Sequence, residues 1–409
     1  MNRVKLGELL RIKHGYAFKS ENYVTSSPYA LVTLANISSS NSFRFDQEKT
    51  TFYGASFPEE VILHTDDLIM PLTEQVIGLF GNSAFIPSMK GIRFVLNQRV
   101  GKVIPNEGKA DKYYLHYLLS TEIVREQLEH RASGTKQRNI SPDDVYDVTV
   151  VVPELNVQQK IGKALYCLEA KVNVNNAIND NLQQQLKLMY DYWFNQFDFP
   201  NEDGKPYRAS GGAMEWSPDL QREIPAGWSC VPLEDILQRN SEAFDFSSIE
   251  PTVDLSIMPS GSIALDQVNR SDKFSTNLFR MNKGDILFGS IRPYLKKAGI
   301  APCNGVVAGT IHSFRVKRES DYNFALFTLC GKAFFDYAVR VSTGTKMPIV
   351  SLDSIMSYKV PYSESIVRRF NRIDVRHIIC SNVQETQKLA SFRDWLLPML
   401  MNGQATIND

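Results

Sequence analysis

The chain has 409 residues, a length that predicts two or three domains. Hydrophobic residues make up 43% and charged residues 22%, which is ordinary for a folded globular protein and excludes extensive disorder. Lysine plus arginine (45) equals aspartate plus glutamate (45), so the chain has no net formal charge and lacks the basic character of most free-standing nucleic-acid-binding proteins.

Basic side chains are nevertheless concentrated in four stretches, residues 1–20, 90–102, 292–297 and 315–318. The first stretch contains one acid, Glu8, and the other three contain none. Such clusters are either faces that contact phosphates or ordinary solvated surface.

The cysteines and the hydropathy pattern predict a cytoplasmic protein that does not contact a membrane. No apolar run approaches the length of a membrane helix, and the first residues lead into no signal-peptide core. The five cysteines are odd in number and form no C-x-x-C pair, which favours reduced thiols over a disulfide framework: Cys167, Cys230, Cys303, Cys330 and Cys380.

In chain order, the dominant feature is an internal repeat. Three pairs of segments match in the same order: Val4–Leu10 with Val231–Leu237, Asp66–Met70 with Gly284–Phe288, and Gly134–Lys136 with Gly344–Lys346. Each half then passes through a β-like segment and a proline into a long helical stretch. The common order predicts a duplicated unit that consists of a globular module followed by a long helix.

The first module is predicted to end in well-defined elements. Ser141 suits a helix N-cap with Pro142 at the first helical position. Every residue of Val148–Val152 is β-branched, which predicts a buried strand. Asn156 and Gln159 fit a capping box that would start the long helix.

The first long helix carries a heptad seam, which predicts a coiled-coil partner. Asn175 and Asn179 lie in the middle of the seam, where polar core residues fix register at some cost in stability. The seam residues follow one another at spacings of three and four: Ile161, Leu165, Leu168, Val172, Asn175, Asn179, Leu182, Leu186, Met189 and Trp193.

The second helical stretch, about residues 364–403, is predicted to be the antiparallel partner, with Pro398 bending or ending it. The predicted fold is therefore α+β, with two mixed α/β modules in tandem repeat separated by a long antiparallel coiled coil of two helices. The predicted boundaries are 1–153 for the first module, 154–199 for the first helix, 200–362 for a linker and the second module, and 363–409 for the second helix.

No motif of a catalytic or metal site occurs in the sequence. Walker-type and dinucleotide-binding glycine loops, H-E-x-x-H, C-x-x-C, G-x-S-x-G and the Asn-Pro-Pro-Tyr type of adenine methyltransferase motif are all missing. Glu202–Lys205 resembles a Mg²⁺-dependent nuclease motif locally, but it fits an Asp-Gly turn in a polar linker better. We therefore predict no catalytic residue and no metal ligand, and a binding protein rather than an enzyme.

These segments carry a resemblance to a known family. The most specific passage begins with Tyr192–Asn201 and continues through Asp203–Tyr207, Ser210–Gly212 and Glu223–Trp228. Together with Gly284–Phe288, Gly344–Lys346 and Leu396–Gly403, it resembles the specificity subunits of type I restriction–modification systems. The resemblance extends over essentially the whole chain.

The resemblance implies that each module is a target-recognition domain that reads one half of a bipartite DNA sequence. It implies that the helices form a spacer and a docking surface for two methyltransferase subunits, which two restriction–translocase subunits join in the full complex. S-adenosylmethionine, ATP and Mg²⁺ would belong to those partners, and this chain would hold no cofactor. Two alternatives stay open, a single-chain DNA methyltransferase or restriction enzyme with unrecognised motifs and a coiled-coil scaffold that binds only proteins.

The candidate DNA-contacting residues are polar loop side chains near glycine or proline. Arginine pairs with guanine and asparagine or glutamine with adenine through two hydrogen bonds. In the first module the candidates are Gln75, Asn82, Asn97, Gln98, Arg99, Lys136, Gln137 and Arg138. In the second module they are Ser290, Arg292, Tyr294, Lys296, Lys297 and Lys346.

Overall fold

A computed structural model describes residues 1–75, 77–135 and 137–407. The chain divides into two compact units, the first formed by Met1–Ala170 with Ser391–Asp409 and the second by Lys171–Ala390. In the part of the chain that is described, no helix is both long and apolar enough to cross a membrane.

The first unit combines short strands with helices. Its strands are β1 (Asn2–Lys5), β2 (Leu10–His14), β3 (Tyr23–Val24), β4 (Tyr29–Val32), β5 (Phe52–Tyr53), β6 (Leu68–Pro71), β7 (Thr73–Glu74), β8 (Ala84–Phe85), β9 (Arg93–Leu96), β10 (Val100–Pro105), β11 (Arg138–Asn139) and β12 (Thr149–Val152). Its helices are α1 (Leu6–Leu9), α2 (Lys112–Leu119), α3 (Glu122–Arg131), α4 (Pro142–Tyr146) and the first part of α5 (Leu155–Tyr190).

Two four-stranded sheets, ordered β2-β10-β6-β8 and β3-β5-β4-β9, organise the first unit, and the pairs β1-β12 and β7-β11 complete it. Leu6, Tyr114, Ile161 and Leu400 belong to one buried cluster, so both long helices contribute to this core. A second cluster, which includes Val32 and Phe94, fills the space beside the other sheet.

The second unit has the same kinds of elements. Its strands are β13 (Met214–Ser217), β14 (Arg222–Pro225), β15 (Ser229–Pro232), β16 (Leu237–Asn240), β17 (Pro251–Val253), β18 (Asn269–Arg270), β19 (Leu278–Met281), β20 (Ile286–Gly289), β21 (Ala298–Ile300), β22 (Gly305–Ala308), β23 (Ile311–Val316) and β24 (Lys359–Tyr362). Its helices are α6 (Leu233–Ile236), α7 (Tyr322–Leu329), α8 (Lys332–Val341), α9 (Leu352–Met356), α10 (Glu364–Phe370) and most of α11 (Val375–Met401).

The predicted repeat is visible in the topology. The sheet β16-β23-β20-β21 of the second unit repeats β2-β10-β6-β8, and the pair β15-β24 repeats β1-β12. Asp285 accepts a hydrogen bond from the Asn282 backbone N–H (2.9 Å) and pairs with Arg315 (3.0 Å). Asp67 accepts the equivalent bond from three residues upstream (2.8 Å) and pairs with Lys102 (2.7 Å). The predicted mixed fold with a tandem repeat is confirmed.

The predicted N-cap of α4 is confirmed, whereas the predicted start of α5 is not. Ser141 caps α4 as predicted, because its hydroxyl accepts a hydrogen bond from the Asp144 backbone N–H (3.2 Å). The capping box predicted at Asn156 is wrong, because α5 already begins at Leu155. Gln158 instead donates to the Pro153 carbonyl (2.9 Å).

The second helical stretch is two helices rather than one, because polar groups interrupt it between Phe370 and Val375. The Asn323 amide donates to the carbonyls of Phe370 (3.3 Å) and Ile373 (2.8 Å), which satisfies the end of α10. The Asp374 carboxylate then accepts from the backbone of His377 (2.9 Å) at the start of α11. Pro398 does not end α11, which continues to Met401.

The strand that the sequence predicts to be buried is β12, and it is buried on one face only. Val150 and Val152 of β12 are buried, whereas Val151 between them is 50% exposed. This alternation is typical of a strand that covers the core with one face.

A buried histidine predicts how stability depends on pH. Burial and the neighbouring Arg239 guanidinium lower the pKa of His312 to about 4. Because the unfolded chain protonates this ring near its ordinary pKa of 6.5, the contribution is present above that pH and is lost as the pH falls towards 4. We expect His312 to account for a loss of about 2 kcal/mol in the free energy of unfolding between pH 7 and pH 5.

Urea unfolding of the wild-type chain and of His312→Gln at both pH values measures this contribution. The variant should lose less stability on acidification than the wild type. An identical pH dependence in the two proteins would contradict the assignment to His312.

Candidate nucleic-acid interface

The loop that follows β20 has a backbone that is unusual for its residue types. Residues 290–297, here called the Arg292 loop, contain a 3₁₀ turn, Pro293–Leu295, between Arg292 (φ 51°) and Lys296 (φ 52°). Both flanking residues are left-handed, a conformation that costs a residue with a side chain about 1–2 kcal/mol. Such strain persists where the surrounding structure holds it, and it is concentrated at functional sites.

A second loop supports the Arg292 loop. The Arg292 N–H donates to the Pro348 carbonyl (2.8 Å), and the Val350 N–H donates to the Ser290 carbonyl (3.0 Å). Gly344 has φ 101°, which allows residues 343–349 to turn back on themselves. The structure therefore brings the repeat motif Gly344–Lys346 beside the Arg292 loop.

The side chains on this surface are basic and exposed. Arg292, Lys296 and Lys346 are exposed, and Tyr294 is 52% exposed. No ion pair of these three cations is found with any residue that the structure describes. Unpaired cations beside an exposed aromatic ring can contact phosphates and bases.

Several cations of the other basic stretches form ion pairs within the protein. Arg315 pairs with Asp285 (3.0 Å), Lys102 with Asp67 (2.7 Å), and Lys13 with the exposed Glu60 (3.5 Å). In the stretch 315–318, Arg318 pairs with a buried aspartate at 3.0 Å. Because the charges of these four cations are paired within the protein, they are weaker candidates for DNA contacts than the unpaired cations near Arg292.

Two candidates of the second module occupy structural positions. Ser290 is buried, and its hydroxyl donates to the Thr310 carbonyl (2.9 Å), so this hydroxyl is engaged within the protein. Lys297 is half-buried, and its ammonium donates to the Leu255 carbonyl, so this group is also engaged within the protein. Arg292, Tyr294, Lys296 and Lys346 remain available.

In the first module, three candidates are exposed on neighbouring loops. Gln98 and Arg99 form the turn between β9 and β10, and Gln75 follows β7. The Leu72 N–H donates to the Arg99 carbonyl (2.9 Å), which joins the strand leading to Gln75 to this turn. Lys136 lies outside the described residues.

Two further candidates of the first module have polar groups that are already bound within the protein. Asn82 is 0% exposed, donates to the Ser38 carbonyl (3.1 Å) and accepts from Arg125. Arg138 pairs with the buried Glu74 (3.0 Å) and donates to the Glu129 carbonyl (2.7 Å).

Asn97 and Gln137 are half-buried, and each uses its amide in a local turn. The Asn97 side-chain oxygen accepts from the Arg99 backbone (3.3 Å), and Gln137 donates to Asn139 (3.3 Å). These local hydrogen bonds do not distinguish the two amides, as possible DNA contacts, from other polar residues in turns.

The structure adds an aromatic residue that sequence reasoning missed. Tyr16 is 36% exposed, and its carbonyl accepts a hydrogen bond from the Gln98 backbone (3.0 Å). The sequence could have indicated Tyr16 through its position among the basic residues of the stretch 1–20, because aromatic rings between cations are common in nucleic-acid sites.

A serine, a histidine and a glutamate of the first unit have the connectivity of a hydrolase triad. Ser83 Oγ lies 2.8 Å from His116 Nδ1, and His116 Nε2 lies 3.5 Å from Glu169 Oε2. Burial alone would raise the pKa of Glu169, but hydrogen bonds and charge from His116, together with a bond from Tyr117, lower it. Ser83 and His116 are both 0% exposed, so no substrate reaches the hydroxyl and the cluster is a packed polar network. No group of three metal-binding side chains occurs in residues 1–75, 77–135 and 137–407.

The heptad seam faces inward along α5. Each predicted seam residue is buried or half-buried, and Trp193 lies in the π-helical turn Asp191–Asn195 that ends the helix. In the second unit, Asn175 donates to Glu385 (2.8 Å) and Asn179 accepts from Asn382 (2.8 Å). The later residue on α5, Asn179, contacts the earlier residue on α11, Asn382, so the two helices are antiparallel at these contacts.

Comparison with known proteins identifies similar sequences. Residues 1–184 match the family model described as the type I restriction modification DNA specificity domain. The MjaIX specificity subunit of a type I restriction enzyme from Methanocaldococcus jannaschii is 22% identical over 76% of this chain and 73% of its own length. The EcoDI specificity subunit from Escherichia coli is 22% identical over 81% of this chain and 74% of its own length.

A solved structure has a similar fold. The S subunit of a type I restriction–modification system from M. genitalium aligns with a TM-score of 0.60 at 15% identity, covering 98% of this chain and 95% of that one. This likeness concerns the fold, since the identity is low.

Proposed function

We propose that this chain, which is similar to the specificity subunits of type I restriction–modification systems, is itself such a subunit, recognises a bipartite DNA sequence and directs the methyltransferase and restriction subunits to that sequence. As a specificity subunit it is the non-catalytic component of its complex. Two methyltransferase subunits and two restriction–translocase subunits would complete the assembly, and they would hold S-adenosylmethionine, ATP and Mg²⁺.

The duplication of the recognition unit is the observation that carries this proposal. In the first unit the exposed Gln75 follows β6 and β7, and in the second unit the Arg292 loop follows β20, the counterpart of β6. Because the loop sequences differ, the two units would read different half-sites. Each unit would be a separate reader, as proteins with two similar DNA-binding modules commonly are.

The zero net charge suggests how the chain depends on its partners. A neutral protein gains little long-range attraction to the phosphates, so the isolated chain should bind DNA weakly. Addition of the methyltransferase partner should strengthen binding. Tight, sequence-specific binding by the isolated chain at physiological salt would contradict this expectation.

Methylation mapping tests the proposal directly. The chain is expressed with a type I methyltransferase subunit from the same organism in a host that lacks other DNA methylation, and methylated adenines are mapped at single-molecule resolution. We expect a split motif with a fixed gap that disappears when this chain is omitted. An unchanged pattern without the chain, or methyl transfer by the purified chain alone, would reject the proposal.

A further inference from the structure

The turn that follows β7 presents an aliphatic side chain to solvent. Ile77 in this turn is 75% exposed, the largest fraction for any large hydrophobic side chain in residues 1–75, 77–135 and 137–407. A single exposed isoleucine is not unusual on a protein surface. Its surroundings therefore decide whether it has a function.

Buried polar contacts fix the chain on both sides of Ile77. The Glu74 carboxylate is 1% exposed, and one of its oxygens accepts hydrogen bonds from the backbone N–H groups of Leu79 (3.0 Å) and Phe80 (3.2 Å). The other oxygen forms an ion pair with Arg138 (3.0 Å), whose guanidinium lies 5.7 Å from the centre of the Phe80 ring. Because the flanking residues are already held in place, Ile77 can bind a ligand with a smaller loss of conformational entropy.

The repeat places this turn where the second unit has the Arg292 loop. Leu72 in the first unit and Ser290 in the second each accept a backbone hydrogen bond (3.0 Å) from the segment that follows the Gly-Thr-Lys motif. Five residues after these carbonyls stand Ile77 and Leu295, and Leu295 is also exposed, at 38%. Both candidate DNA-binding surfaces therefore present an aliphatic side chain at the same distance from equivalent backbone contacts.

The polar neighbours of Ile77 suit the major groove of DNA. Gln75 is exposed two residues before Ile77, and Gln98 and Arg99 are exposed in the turn that is bound to the Leu72 backbone. Glutamine forms two hydrogen bonds with adenine, and arginine two with guanine, at the major-groove edges of these bases. The apolar group at that edge is the C5 methyl of thymine, which is the pairing partner of adenine. An isoleucine next to an exposed glutamine is therefore suited to an A·T pair.

We propose that Ile77 recognises thymine in the half-site bound by the first unit, by packing its side chain against the C5 methyl group. Cytosine at the same position would present no methyl group to this side chain, so the contact favours thymine over cytosine. The inference rests on the proposed function and adds to it the identity of one recognised base.

A cycle that combines one protein change with one DNA change tests the proposal. The complex of the full-length chain with its methyltransferase subunits is bound to a duplex that carries the bipartite sequence found by methylation mapping. Each thymine is replaced singly by deoxyuridine, which lacks the C5 methyl. At one thymine we expect the wild-type complex to bind about fourfold more weakly after the replacement, as for one methyl group lost from an apolar contact. The Ile77→Ala complex should bind the two duplexes equally.

Ile123→Ala is the matched control, because Ile123 is a 58% exposed isoleucine on α3 of the same unit. This variant should keep the fourfold preference for thymine at the same position. Both variants should unfold at the urea concentration of the wild type, because each truncates an exposed side chain. Any effect of deoxyuridine on the duplex itself is common to the three complexes and cancels in the comparison.

Equal discrimination by the wild-type and Ile77→Ala complexes at every thymine would overturn the proposal. Loss of assembly with the methyltransferase subunits in the Ile77→Ala variant would also overturn it, because Ile77 would then contact a protein. If a bipartite sequence is methylated but no thymine depends on Ile77, the proposed function stands and only this inference fails. If no bipartite sequence is methylated, both fail.

Discussion

Replacing Arg292 and Lys296 together by alanine is expected to weaken recognition of one half-site by about 2 kcal/mol or more, roughly 30-fold, because each side chain can supply a base or phosphate contact. The other half-site should keep its sequence preference, since the loops of the first unit are unchanged. Binding of the methyltransferase complex to DNA with either half-site altered measures both effects.

Glycine at the same two positions separates contact loss from misfolding. Arg292 and Lys296 have φ angles of 51° and 52°, which glycine adopts without steric cost. The Arg292→Gly, Lys296→Gly variant should therefore unfold at a urea concentration equal to or higher than that of the wild type, while its recognition of DNA should be as poor as that of the alanine variant. This combination would indicate that the strain is retained for function.

Lys273→Ala is a suitable control, because Lys273 is also exposed and lies outside the Arg292 loop. It removes one positive charge with little expected effect on half-site recognition. If the loop variants degraded both half-sites equally, Arg292 and Lys296 would serve folding or partner docking instead.

Lengthening both long helices together is expected to widen the non-specific gap in the DNA target. The pairs Asn175–Glu385 and Asn179–Asn382 define where α5 and α11 match. Insertion of four residues after Ala177 and four after Val383 keeps both pairs in place. Four residues add about 6 Å of helix, and DNA rises about 3.4 Å per base pair, so the gap should grow by about one or two base pairs.

Insertion into α5 alone is the matched control. One inserted segment cannot keep both Asn175 and Asn179 opposite their partners on α11, and it leaves buried amides unpaired at a cost of about 1–3 kcal/mol each. The single insertion should therefore destabilise the chain, whereas the paired insertion should be tolerated. A stable paired variant that still methylates sites with the original gap would reject the idea that these helices set the spacing.

The sequence by itself determined the features that depend on local periodicity and order. The matching of Asp66–Met70 with Gly284–Phe288 predicted a duplication, and the same aspartate contacts occur in both units. The spacing of apolar residues from Ile161 to Trp193 predicted one long helix, and α5 with its final π-helical turn spans that seam. Periodicity and capping act between near neighbours in the chain, so they can be read without a structure.

Only the tertiary structure decided which polar loop residues are free to bind. Arg138 and Asn82 had the same chemistry in the sequence as Arg292 and Gln98, but Glu74 binds Arg138 and Ser38 and Arg125 bind Asn82. Each of these partners lies tens of residues away, and burial of a polar side chain requires such a partner.

The left-handed backbone at Arg292 and Lys296 also depended on the tertiary structure. The Pro348 carbonyl, which lies in another loop, accepts a hydrogen bond from the Arg292 N–H, and non-glycine residues give no local signal for that conformation. A contact between segments that are distant in the chain therefore holds this backbone, and the local sequence pattern does not contain it.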